Sequence, residues 1–80
     1  MLKPKEISET LEDLDKNEEW KKIAEYNEVP HLYKKRESGD YFLYEVLEMN
    51  ETKIYENPIL GFSIVESNQN PPKYYVFVKI

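Results

Sequence analysis

The last eight residues of the sequence, KYYVFVKI (Lys73 to Ile80), constrain the fold of this chain more than any other stretch. They hold no glycine and no proline, and they mix aromatic with branched side chains. Side chains alternate across a strand, so Tyr74, Val76, Val78 and Ile80 take one face while Tyr75 and Phe77 take the other. Both faces are apolar. Left at an open sheet edge, such a strand would template pairing with other chains, and Lys79 is its only internal guard. The segment must therefore be paired, covered, or both.

What can cover it is limited by size. Eighty residues form one domain, 1–80, and a chain of this length buries only about 60–65% of the surface that its unfolded form exposes. Small domains are commonly reinforced by disulfides, but there is no cysteine. Oligomerisation is the remaining common reinforcement. The missing cysteine also removes thiolate nucleophiles and cysteine-based zinc sites, and it fits a reducing cytoplasm.

Composition shifts once, near Pro30. Residues Met1 to Glu28 carry nine acids and five lysines, with few β-branched side chains. This part reads as a helix over about residues 4–28. Pro4 suits a first helical turn. Ile7, Leu11 and Leu14 share one helical face, and Trp20, Ile23 and Ala24 share another, roughly opposite. Either one continuous helix has two apolar faces, which is the reading we favour, or the helix breaks at Asp15-Lys16-Asn17.

After Pro30, over about residues 31–80, short aromatic and branched runs are separated by turn residues. His31 to Arg36, Tyr41 to Met49, Ile59 to Glu66 and the C-terminal run read as strands. Glu37-Ser38-Gly39-Asp40, Asn57-Pro58 and Ser67 to Pro72 read as connections, with a short extended piece at Lys53 to Tyr55. The fold class expected is α+β: an N-terminal helix packed on a three- or four-stranded antiparallel meander sheet. One helix covers one face of such a sheet. The strands are apolar on both faces, so the second face should be covered by another copy of the chain. Tyr41, Leu43, Tyr75 and Phe77 are the expected residues of that dimer or partner interface.

Chemistry is harder to find. Asp13, Asp15 and Asn17 imitate the start of a calcium-binding loop, but Glu18 and Ala24 stand where glycine and glutamate are required. His31, the only histidine, has no partner in a recognisable motif. The two glycines cannot build a phosphate-cradling loop. The reading is therefore no enzyme, with no catalytic, cofactor-binding or metal residues and no cofactor. Lys34, Lys35 and Arg36, flanked by Tyr33 and Tyr41, form the only basic cluster and would be the contact in a weak nucleic-acid binder. The net charge of −5 disfavours that partner, and the interrupted acids of the first segment make a poor phosphate mimic. No membrane span is long enough, and MLKPKEIS lacks the apolar core of a secretory signal.

From MLKPKEISETLEDL through NEEWKKIAEYNEVP to PPKYYVFVKI, the chain resembles the YopT-type small proteins of Bacillus and its SPβ-like prophage. The resemblance runs the length of the chain and rests on no functional motif. It implies a prophage protein with one helix and three strands per protomer, assembled as a homodimer, and it brings no active-site residues; the cytoplasmic location is expected from the missing cysteine and secretory signal. The function expected is a non-enzymatic, prophage-type accessory protein that binds protein: itself, and a host protein. The alternative is a small-ligand binder or enzyme whose site forms at the dimer groove.

Overall fold

The structure, a computed structural model, describes residues 14–80. After one helical turn at 14–16, the described chain forms six strands: β1 (Trp20–Tyr26), β2 (Leu32–Glu37), β3 (Asp40–Leu47), β4 (Asn50–Lys53), β5 (Gly61–Glu66) and β6 (Tyr74–Lys79). They make two antiparallel three-stranded sheets, ordered β1-β6-β5 and β2-β3-β4. This overturns the α+β expectation and its single meander. The described part of the expected helix, 14–28, keeps one helical turn at 14–16, and its apolar residues from Trp20 to Tyr26 form a strand; Ile7, Leu11 and Asp13 lie outside the described residues. Among the described residues no helix is long and apolar enough to cross a membrane.

A bulge explains why β1 imitates a helix. Lys22 pairs with Phe77 and Ala24 with Val76, so Ile23 is an extra residue in the ladder. The insertion resets the two-residue alternation and leaves Trp20, Ile23, Ala24 and Tyr26 half-buried, a spacing of three to four that also suits a helix. Pairing with the most apolar strand in the chain then overrides the helix preference of the local lysines, glutamate and alanine. The helical turn ends at Lys16, so over the described residues the favoured continuous helix is not formed, and the Asn17 side chain accepts from the Glu19 N–H at 2.9 Å without capping a second helix. Beyond that turn the chain continues as a strand.

The C-terminal run is the central strand of its sheet, with β1 on one side and β5 on the other. Its inner face carries Val76 and Val78, both without exposed surface. They form the core with Leu43 of β3 and Ile59, against which Ile23, Ala24, Tyr26, Leu32, Phe62 and Ile64 pack. The second sheet thus supplies from within the chain a cover that the sequence pattern assigns to a helix. At the other face Phe77 is also fully buried and Val65 nearly so.

The connections follow turn chemistry. Ser38 and Gly39 link β2 to β3 with φ of 49° and 88°, the left-handed pair of a two-residue hairpin. The β5–β6 loop is closed by Ser67, whose N–H donates to the Lys73 carbonyl at 2.8 Å and whose hydroxyl accepts from the Lys73 N–H at 2.9 Å.

Candidate functional site

Three surfaces could meet another molecule, and each is built differently. The first is the outer face of the β2-β3-β4 sheet. The register sets Tyr33 opposite Tyr44 and Lys35 opposite Phe42, and Tyr44 opposite Lys53. The Tyr33 and Tyr44 rings stack with centroids 5.8 Å apart. Lys53 lies over the Phe42 ring at 4.1 Å and donates to Glu37 at 3.1 Å, while Lys35 pairs with Glu51 at 3.3 Å. The Tyr44 hydroxyl donates to Glu37.

These contacts shift protonation. The hydrogen bond to Glu37, with burial and that carboxylate's charge, pushes Tyr44 up to about 12. Burial beside the Glu51 carboxylate pushes Tyr33 up to about 12 as well, although the Tyr33 hydroxyl makes no hydrogen bond of good geometry. Glu37 is held low by the bonds from Tyr44 and Lys53, and Glu51 by the Tyr33 hydroxyl beside it and the bond from Lys35. The face is internally neutralised. It is a cross-strand lattice of rings and paired charges that has little left to offer a charged ligand.

This arrangement also dissolves the basic cluster. Alternation along β2 sends Lys34 and Arg36 to one face and Lys35 to the other. Lys34 rests over Tyr41 at 5.3 Å and Lys35 is engaged with Glu51. Lys34, Lys35 and Arg36 therefore do not form one patch for nucleic acid.

The second surface is a cleft of about 460 Å³ between the β1–β2 linker and the end of β3, lined by Tyr26 to His31 and by Glu45, Val46 and Leu47. The backbone bond from Val46 to the His31 carbonyl, 3.0 Å, holds the linker against β3. The Tyr26 hydroxyl donates to Glu45 Oε2 at 3.2 Å, and burial together with that carboxylate raises its pKa. Sequence reasoning singles out His31 but misses its neighbours, because two separated segments build the cleft. The imidazole is exposed and has no carboxylate partner among the described residues. Among the described residues no cluster of His, Asp and Glu could hold a metal ion.

The third surface is the edge of β5. Among the described residues it pairs with β6 alone. The other three edges are guarded: β1 by its bulge and two lysines, β2 by Lys34, Lys35 and Arg36, and β4 by its brevity and charges. β5, GFSIVE, has a regular register and no charge before Glu66.

The residues expected at an interface are placed unevenly. Leu43 and Phe77 have no exposed surface in the single chain and belong to the interior, so neither is available to a second copy. Tyr41 is exposed beneath Lys34, and Tyr75 is half-buried beneath Lys22, whose ammonium lies 5.0 Å from the ring centre. The edge of β5 lies one strand away from Tyr75, and the sequence pattern does not single it out.

No family model matches the chain, no curated protein matches it, and no solved structure matches it. The functional reading therefore rests on the geometry.

Proposed function

We propose that this chain is a non-enzymatic protein-binding module whose first partner is a second copy of itself, paired along β5. The observation that carries the reading is the unguarded edge of that strand. A small domain has reason to close such an edge by pairing, since it otherwise invites uncontrolled association.

Symmetry narrows the pairing. A two-fold axis through the sheet maps each residue onto its copy without changing its face, so the axis must pass beside one residue of β5. Centred on Ser63, the pairing sets Phe62 against Ile64 of the copy on the inner face, an aromatic–branched pair of the kind that stabilises sheets. Centred on Ile64, it would set Phe62 against the Glu66 carboxylate instead. The first register is the better one. The bond from Ser67 to its register partner Lys73 fixes the alternation, so that Phe62, Ile64 and Glu66 turn their backbone groups away from β6 and toward the copy.

A prophage accessory role in the cytoplasm, with a host protein as the second partner, is the setting we attach to this reading; the resemblance and the cysteine-free composition support it. Light scattering at micromolar concentration tests the pairing. The wild type is expected to have twice the chain mass and Ser63→Lys, which sets two ammonium groups across the axis, the chain mass. A monomeric wild type would refute it.

A further inference from the structure

The cleft between the β1–β2 linker and β3 joins features that occur together nowhere else among the described residues. Its charged lining, apart from the exposed His31, is the acids Glu28 and Glu45. Among the described residues neither is in an ion pair, a state they share with Asp15, Glu18, Asp40, Glu48, Glu56 and Glu66, but these two line one cleft together. Tyr26 occupies one oxygen of Glu45, and the other has no partner among the described residues. At its rim stand large apolar side chains in water: Val29 is 59% exposed and Leu47 70%, and Met49, two residues further along the turn, is 97% exposed.

We propose that the cleft seats a segment of another protein in which a lysine or arginine is flanked by large aliphatic residues. The cation enters toward Glu28 and Glu45, and the flanking side chains lie on Val29, Leu47 and Met49. The volume suits a side chain rather than a domain. Charge complementarity selects a basic occupant, since the acids that line the cleft have no cation of their own among the described residues. A second copy is a poor occupant: it carries a net charge of −5 and the same acidic cleft. A free amine is also a poor one, because it would leave the apolar rim uncovered. The proposal extends the protein-binding reading to a stated partner chemistry, and it does not depend on how β5 is paired.

The test is a titration of the isotope-labelled full chain, monitored by amide chemical shifts. The probe is an acetylated, amidated hexapeptide alternating arginine and leucine. Saturable shifts are expected at Tyr26, Glu28, Val29, His31 and Glu45 to Leu47, weakening with added salt. The doubly substituted Glu28→Gln, Glu45→Gln chain should bind roughly tenfold more weakly or worse. Leu47→Ser should weaken binding without loss of the strand spectrum, so a folding defect cannot imitate the result. The proposal is overturned by an absence of saturable shifts, or by shifts centred elsewhere. It is equally overturned if glutamate in place of arginine binds as well, or if arginine amide alone binds as tightly as the hexapeptide. Cleft resonances that move on simple dilution would seat a second copy there and also overturn it. Light scattering reads the β5 pairing separately, so either reading can fail alone.

Discussion

The Tyr44 hydroxyl donates to the Glu37 carboxylate, and Lys53 donates to the same carboxylate at 3.1 Å. One acid thus ties the end of β2 to the middle of β3 and to the end of β4. The bond links two titrations of opposite sign. Glu37 is held below its usual value of 4.5, so its contribution is present above that pH and is lost as pH falls through the folded value. Tyr44 is raised from 10.0 to about 12, so its contribution is full below 10.0 and is lost as pH rises through about 12. Between those limits the contact is intact.

Alkaline spectrophotometric titration reads this directly. Tyr33 and Tyr44 are expected to hold their protons until about pH 12. Tyr44→Phe should remove one phenol from the late phase and release Glu37 toward its ordinary acid range. A late phase unchanged by Tyr44→Phe would show that the hydroxyl does not bond Glu37 in solution.

Lys53 has the look of an ordinary surface lysine in the sequence, within a charged strand of four residues. Its ammonium nevertheless serves Glu37 and caps the Phe42 ring at 4.1 Å. Lys53→Asp sets a second carboxylate beside Glu37 and removes that ring contact. The melting temperature should fall measurably, and the fall should shrink at high salt because the pair is partly exposed. Lys53→Met, which keeps the ring contact and adds no charge, should fall less.

Phe77 has no exposed surface although it lies on the face of β6 opposite Val76 and Val78. Phe77→Ala removes a large buried ring and is expected to cost about 3–5 kcal/mol by denaturant unfolding. For a domain of this size that is a large part of the roughly 4–12 kcal/mol available. A cost below about 1 kcal/mol would mean that the ring is solvated in solution.

Much of the sheet is legible in the sequence alone, and the reason is local. β3 and β6 announce themselves by aromatic and branched residues, and Ser38-Gly39 and the Ser67 to Pro72 loop by turn chemistry. β1 is not legible. Its bulge at Ile23 gives a strand the spacing of a helix, and only its long-range pairing with β6 reveals what it is. That misreading propagates. With a helix as the sole cover, the second apolar face calls for a partner, and Leu43 and Phe77 are assigned to it; the chain buries both itself. β6, whose open edge the sequence warns against, is paired on both sides, and among the described residues the edge without a guard is that of its neighbour β5. The cleft is invisible in the sequence because Tyr26, Val29 and Glu45 meet only through the fold.

Central to this account is the pairing of β5 with its own copy about Ser63, and a single cysteine tests it most directly. The chain has no cysteine, so Ser63→Cys introduces the only thiol. In the proposed register the two thiols face each other at a non-hydrogen-bonded pair, where Cα atoms are about 4.5 Å apart and a disulfide can form without backbone movement. Mild oxidation at micromolar concentration, then non-reducing electrophoresis, should give a covalent dimer in high yield, while Asn57→Cys, on the exposed connection before β5, should remain single. Ser63→Cys that stays single, or that cross-links no faster than Asn57→Cys, would contradict the pairing and the function built on it.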